Sequence, residues 1–588
     1  MTPSTTTTGN VHWAPRPFDP ATAERLSREA NLDALVARLL VQRGISNPET
    51  AARFLNPRLD HLHDPNLMRG MSIAIERLER AIANKENILI YGDYDVDGTT
   101  AVVILKTCIE LLGGIADFHV PHRIKEGYGI RDNVIEAAGA GGVTLVISVD
   151  TGIRAFDAAK TARHIGLDLI VTDHHLPEAG EGVPDALAVL NPNQPGCDYP
   201  CKEICGAGVA FKIAQALLTR ARRERLIPSF LKMVAIATIA DAVPLTGENR
   251  VIAKLGLDGL RQPVNGGLRA LMLVSELLDG QRSVSATDVG FRLGPRINAA
   301  GRMDVAREVV ELFTTKEESR QLELAKKLNE LNAQRQAEEQ RILEAAIEML
   351  EADTALEEKF SLVLDGDGWH RGVIGIVATR VVERSGRPTL VVSRGEDGVA
   401  HGSGRSIPAF HLLDALESAD CRHCFIRFGG HAHAAGFSLA SDAIPALRDG
   451  LERYARARLT REDLVPGITI DAELEFAQID RNLIRSIATL EPFGVGNPRP
   501  LFGTRAARML QPIKIMKEKH AKLRLRDSDA GRPFDSIGWR MREQLEQLNL
   551  VLGDKLDIAY TIEENTDPEF FGLQLILRDV RRSVVVAA

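Results

Sequence analysis

Between residues 85 and 245, short apolar runs alternate with helix-like stretches, and this alternation restricts the fold more than any other property of the chain. Residues 87–91 (NILIY), 115–120, 144–149 (TLVISV), 167–172 (LDLIVT) and 186–190 (ALAVL) read as strands, with helices expected at 99–112 and 154–165. Apolar strands joined by helical crossovers form a parallel sheet covered on both faces. Functional side chains on such sheets collect at the carboxyl ends of the strands.

Acidic residues stand where that rule expects them. Tyr91-Gly92-Asp93-Tyr94-Asp95-Val96-Asp97-Gly98 directly follows the first strand. In an extended segment alternate side chains share a face, so Asp93, Asp95 and Asp97 are expected to converge. Three close carboxylates repel unless a cation neutralises them. The same pattern opens a calcium-binding EF-hand loop, but the Glu required at its twelfth position is missing from the apolar run Ala101-Val102-Val103-Ile104-Leu105. Asp150 ends the strand at 144–149, Asp173-His174-His175 end the strand at 167–172, and Asp241 closes an apolar helix at 231–240. Each alone could be a helix cap; four such clusters at corresponding ends of one α/β unit are not explained as caps. Carboxylates with one or two imidazoles suit Mg²⁺ or Mn²⁺, and the ligands suffice for two ions. Two ions roughly 3.5–4 Å apart can drive phosphodiester hydrolysis with no nucleophilic side chain. The sequence carries neither a Gly-x-x-x-x-Gly-Lys-Ser/Thr phosphate loop nor a Gly-x-Ser-x-Gly elbow, which argues against a nucleotide-driven motor or a serine hydrolase.

The chain of 588 residues is too long for one core, and three or four domains are expected. The Thr-rich start is no secretory signal, and no apolar window reaches the roughly 18 residues of a membrane span, so a soluble cytoplasmic protein is expected. A net charge of −8 is not that of a generic nucleic-acid coat, although a local basic track is compatible with it. Cys197, Cys201 and Cys205 recur at four-residue steps, and Cys421 and Cys424 flank His423. The first spacing is not that of a zinc ribbon, so these, with Cys108, are expected to be reduced thiols.

The expected organisation is α/β and multidomain. It comprises an N-terminal segment 1–45, partly disordered; a parallel-sheet domain 46–315; a long charged connector helix 316–352; a second α/β domain 353–462; and a small β-barrel domain 463–588. The second α/β domain offers phosphate-binding material. Gly402-Ser403-Gly404-Arg405-Ser406 combines backbone donors with a guanidinium, and Gly429-Gly430-His431-Ala432-His433-Ala434-Ala435-Gly436 holds two imidazoles. Further cations are expected on loops, at Arg123 and in the run 292–302, which includes Arg296 and Arg302 beside Asn298. In the barrel Arg505, Arg508, Lys514, Lys517, Lys519, Lys522, Arg524 and Arg526 cluster around a single acid, Glu518, as a track for a phosphate backbone.

These motifs, in this order, resemble the DHH phosphoesterase superfamily and, within it, the RecJ family of single-strand-specific exonucleases. The stretches at 122–129 and Arg296-Ile297-Asn298-Ala299-Ala300-Gly301-Arg302 look like RecJ in particular, and the resemblance runs from about residue 45 to the C-terminus. It implies Mn²⁺- or Mg²⁺-dependent degradation of single-stranded DNA from the 5′ end to mononucleotides, in repair and recombination. It makes Asp93, Asp95, Asp97, Asp150, His174 and Asp241 ligands of two divalent ions, with Asp95, Asp150, His174 and His175 catalytic. His175 would contact the scissile phosphate or assist proton transfer. It assigns Arg405, Ser406, His431 and Arg296 to the 5′-phosphate, with Arg123, Asn298, Arg302, His433, Lys519, Lys522 and Arg524 along the strand, and makes the barrel an OB-fold. It implies a monomer that works beside single-strand-binding protein and a RecQ-type helicase, away from membranes. Two rival readings follow from the same residues. A small-substrate phosphodiesterase of the superfamily would need neither the connector helix nor the basic barrel. A non-catalytic DNA scaffold would show gaps in the Asp/His set, and this chain shows none.

Overall fold

The computed structural model describes residues 12–122, 126–127, 129–178, 180–278, 283–303, 305–529, 531–565 and 572–583. They fall into two compact units: Asn47–Arg335 with Leu490–Pro498, and the remainder.

The first unit is built on a five-stranded, wholly parallel sheet. Its strands lie in the spatial order Ile115–His119, Asn87–Tyr91, Val143–Ser148, Asp168–Thr172, Ala188–Leu190. Chain order therefore runs outward to one edge and then back across to the other, and it reverses between Asn87–Tyr91 and Val143–Ser148. Such a reversal opens a crevice at the carboxyl ends of the two strands, because their crossover helices leave on opposite faces. One face carries the core of the Val96–Leu111, Gly206–Arg220 and Ile227–Ala240 helices, whose interior positions are almost all apolar. The other is covered by Asp132–Ala140 and Phe156–His164.

The connector is one helix, Glu318–Ala352. Its early apolar positions Leu324, Ala325 and Leu328 belong to the core of the first unit, and Ile342, Ala346 and Leu350 to a core of the second. A helix 35 residues long whose charged outer face needs no cover is held by these two patches rather than by propensity alone.

The second unit contains a mixed sheet in the order Phe425–Gly430, Ala434–Ala440, Val399–Arg405, Thr389–Arg394, Leu362–Asp367. It also contains a barrel, in which Phe502–Met509, Lys555–Asn565, Gly572–Arg582, Phe534–Gly538 and His520–Arg526 follow one another and Phe502–Met509 pairs back to His520–Arg526. Closure leaves no open edge on these five strands, which is the OB-like architecture. Residues 12–45 add order where the sequence offered no motif. His12–Pro15 pairs in parallel with Gly467–Ile470, and helices Pro20–Ala30 and Ala34–Val41 follow, each capped by an Asp at its N-terminus. Trp13 Nε1 donates to Asp579 at 2.7 Å and Arg16 Nε to Asp471 at 2.6 Å, so the segment is fastened to the strands of its own unit.

Two local expectations are corrected. The run 292–302 is not loop: Val289–Leu293 is a π-helical turn and Gly294–Arg302 an α-helix, Pro295 being tolerated because it stands in the first turn. Gly402–Arg405 lies within a central strand paired on both sides, so its backbone N–H groups serve the ladder and not a phosphate. Its glycines are there for packing. A Cβ on Gly402 would lie 2.1 Å from the Phe437 ring, and one on Gly404 2.6 Å from Leu390. The glycine-rich stretch at 429–436 closes a hairpin, with Gly429 opposite Gly436.

Candidate metal centre

Asp93, Asp95, Asp97, Asp150, His174, His175 and Asp241 all lie in the first unit, and they meet at the strand-order reversal. Three sets of ligand atoms lie within 4.8 Å of one another: Asp93, Asp95 and Asp150; Asp97, His174 and Asp241; and Asp150, His174 and His175. His174 Nε2 is 3.2 Å from Asp150 Oδ1, 3.7 Å from Asp97 Oδ2 and 3.9 Å from Asp241 Oδ2.

The local backbone that achieves this differs from the extended segment expected at 93–97. Asp95 is the N-cap of Val96–Leu111, its side chain accepting from Gly98 N at 3.0 Å. Asp97 therefore sits in the first helical turn, and its ligand atoms group with those of His174 and Asp241. Its two oxygens accept from Gly206 N at 2.6 Å and Ala207 N at 2.7 Å, at the positive end of the Gly206–Arg220 helix. The single turn thus splits its carboxylates between two sets. Gly98 is required here, because a Cβ would come 2.7 Å from the Asp93 backbone. Asp150 adopts φ 60°, a left-handed conformation that an Asp pays for in strain, and Gly206 makes room for it.

Asp173 faces inward and orients the histidines. Its Oδ1 accepts from His174 N at 2.8 Å, His175 N at 3.1 Å and His175 Nδ1 at 2.7 Å, and its Oδ2 from Ile153 N at 2.9 Å. Asn191 Nδ2 donates to His175 O and Asn193 Nδ2 to His174 O, at 2.9 and 2.8 Å. The sequence reading missed these two asparagines, although Asn191-Pro192-Asn193 directly follows the last strand of the sheet. It also missed Gly206 and Ala207, for which the sequence carries no local signal.

The electrostatics are those of a cation site. Burial, followed by the neighbouring carboxylates, raises the pKa of Asp95, Asp150 and Asp241, the last to about 9. Burial lowers His174. Burial is the largest single influence on His175 and would lower it, but the hydrogen bond from its ring to Asp173 together with the negative charge of Asp173, Asp241 and Asp97 outweighs it and holds His175 up at about 9. Asp150 Oδ1 is buried and makes no hydrogen bond. Acidic oxygens crowded together and withdrawn from water, one of them without a hydrogen-bond donor, fit hard divalent cations. None of the sets of metal-competent side chains among the described residues includes a cysteine, and the six cysteines are free thiols.

The remaining candidates are dispersed. Arg123 lies outside the described residues. Arg296 and Asn298 are on the Gly294–Arg302 helix of the first unit, as is Arg302. Arg296 Nε donates to Asn329 Oδ1 at 3.0 Å, and Asn298 Oδ1 accepts from Val96 N at 3.1 Å, so Asn298 braces the acidic turn. In the second unit Arg405 ends the strand Val399–Arg405 and Ser406 follows it, while His431 and His433 lie in the hairpin turn between Phe425–Gly430 and Ala434–Ala440, with Ser406 N donating to His433 O at 3.1 Å and both imidazoles exposed. Ser403 and Arg405 lie on one face of their strand, against Gly375 at the start of the Ile374–Ser385 helix. Lys519, Lys522 and Arg524 are on the barrel. Lys522 and Arg524 pair with Asp535 across the strands, at 2.7 and 3.3 Å, which tempers the basic track read from sequence.

Sheet and site together define the DHH class. The DHH family N-terminal domain matches residues 87–238, the DHHA1 domain residues 358–457 and the RecJ OB domain residues 470–579. Among curated proteins, the single-stranded-DNA-specific exonuclease RecJ of Bacillus subtilis is 37% identical over 97% of this chain and 70% of its own length. That of Escherichia coli is 33% identical over 94% and 96%. The crystal structure of RecJ from Thermus thermophilus in complex with Mn²⁺ matches with a TM-score of 0.82 at 28% identity, covering 98% of this chain and 80% of that one. Its complex with Mg²⁺ gives a TM-score of 0.76. The chain belongs to the RecJ family.

Proposed function

We propose that this protein is a metal-dependent exonuclease that degrades single-stranded DNA from the 5′ end to mononucleotides. The observation that carries the reading is the convergence of five buried or half-buried aspartates with His174 and His175 at the strand-order reversal. When bound, two Mn²⁺ or Mg²⁺ ions supply Lewis-acid charge at the scissile phosphate. Asp93, Asp95 and Asp150 would hold one ion and Asp97, His174 and Asp241 the other, with Asp150 also in reach of His174. His175, kept protonated by Asp173, supplies a cationic donor to the phosphate or to the departing 3′ oxygen. Breaking the P–O3′ bond beyond the first nucleotide leaves a new 5′-phosphate on the next one. Arg405, Ser406 and His431 are suited to receive that dianion, with His433 beside them, and Arg296 and Arg302 add positive charge in the first unit. Lys519, Lys522 and Arg524 on the barrel would hold the strand.

We assign hydrolysis to residues 46–315, end recognition to 353–462 and strand holding to 463–588, joined by the connector 316–352; Mn²⁺-bound and Mg²⁺-bound relatives of the same fold support the metal choice. The substrate requires a free single-stranded end, which suits a monomer acting with single-strand-binding protein and a RecQ-type helicase in the cytoplasm. No helix among the described residues is long and apolar enough to cross a membrane. Asp150→Ala and His174→Ala test the site. Each is expected to lower nuclease activity at least a hundredfold with the fold retained by circular dichroism, and near wild-type rates in either variant refute the assignment.

A further inference from the structure

Leu490–Pro498 belongs to the first unit although the chain on either side of it belongs to the second. The segment is closed on itself. Gly494 and Asn497 exchange backbone hydrogen bonds at 2.9 and 3.1 Å, and Asn497 Nδ2 donates to Leu490 O and Pro492 O at 2.8 and 2.9 Å. It lies directly on residues 244–246. Leu245 N donates to Val495 O at 2.8 Å, a Cβ on Gly494 would be 2.6 Å from Leu245 Cδ1, and one on Gly496 3.0 Å from Pro244 Cβ. Arg250, 1% exposed, clamps it from the Gly247–Gly259 helix. Its guanidinium donates to Leu490 O at 3.0 Å and Glu491 O at 2.9 Å, and on the other side to Phe54 O at 2.7 Å, while stacking 3.6 Å over the Phe54 ring. A buried guanidinium is tolerated only where its donors are met, and the carbonyls of this strap meet them.

The residues under the strap lead straight back to the metal centre. Asp241 caps the Ile227–Ala240 helix, and the chain leaves it through Ala242 at φ 57°. A residue with a Cβ seldom adopts that conformation unless its surroundings impose it. We propose that the strap Leu490–Pro498, clamped by Arg250, is a positioning element for Asp241. By fixing residues 244–246 it keeps the turn after Asp241 in its strained form, and so keeps the Asp241 carboxylate beside Asp97 and His174. Arg250 and the strap glycines thereby set metal affinity without touching metal or DNA. The inference rests on the reading of Asp241 as a metal ligand.

The test is Mn²⁺ binding to the full chain, measured by calorimetry with no DNA present. Gly496→Ala adds a Cβ at φ 72° against Pro244, and Arg250→Met removes the clamp. Both are expected to weaken at least one Mn²⁺ equivalent tenfold or more. Gly402→Val, a destabilising change in the other unit, should leave Mn²⁺ affinity unaltered and so separates positioning from general loss of stability. If Arg250→Met fails to fold, Gly494→Ala replaces it beside Gly496→Ala. Wild-type Mn²⁺ affinity in the folded strap variants, with binding weakened by Asp241→Asn, overturns the proposal. Wild-type affinity in Asp241→Asn itself overturns the metal reading on which it rests.

Discussion

Loading the site with metal should expel protons, and the number can be worked from the carboxylates. Asp241 titrates at about 9, because burial and then Asp97 and Asp95 oppose its charge. At neutral pH it is therefore held protonated in the metal-free protein, and ionising it there costs on the order of a few kcal/mol. Divalent metal must displace that proton, so its apparent affinity should rise at least about tenfold per pH unit from 6 to 8. The same linkage fixes the sign for folding. An acid whose folded pKa is raised costs stability once the pH exceeds its unfolded value, and the loss grows until the folded group ionises near 9. His175, also raised to about 9, contributes stability that is complete below its unfolded value of 6.5 and is lost as pH climbs through 9. Both trends weaken the metal-free protein between neutral and alkaline pH. The assay is calorimetric Mn²⁺ titration at pH 7 in buffers of different ionisation enthalpy. At least one proton should be released per molecule, and Asp241→Asn should reduce the number by about one. Heats independent of the buffer would refute the reasoning.

Two further outcomes follow from the second unit. Arg405→Ala should slow degradation of 5′-phosphorylated strands about tenfold or more while affecting unphosphorylated ends less; equal losses in a side-by-side rate assay would remove its end-binding role. Gly402→Val should cost about 1–3 kcal/mol in denaturant unfolding, because its side chain meets the Phe437 ring in a paired central strand, and unchanged stability would contradict that close approach.

The parallel sheet was legible because its strands are apolar on both faces and their ends carry the acids. The strand Asn87–Tyr91 coincides with the apolar run at 87–91, and the OB-like barrel follows from alternation at 521–525 and 555–562. The division of labour among the acids was not legible. Alternation along an extended segment would put Asp97 with Asp93 and Asp95, but the helix begins at Val96, and Asp95 caps it while Asp97 turns toward Asp241. A cap and a ligand use the same residue type, so spacing alone does not separate them. Gly402-Ser403-Gly404 looks like a phosphate cradle until its strand partners are known, because a glycine chosen to admit a neighbouring ring reads the same as one chosen to expose backbone donors. The strap at 490–498 depends on contacts some 240 residues away in sequence, between Arg250 and Leu490, and no local pattern encodes them.

The central claim is that this metal centre hydrolyses single-stranded DNA from its 5′ end. The direct measurement follows an oligonucleotide labelled at one end or the other, offered single-stranded and as a blunt duplex, with Mn²⁺ and after chelation. The 5′-terminal nucleotide should be released from the single strand at once, while a 3′ label stays on progressively shorter strands, the duplex resists, and chelation abolishes both signals. Degradation that begins at the 3′ end, ignores strandedness or survives chelation would contradict the claim.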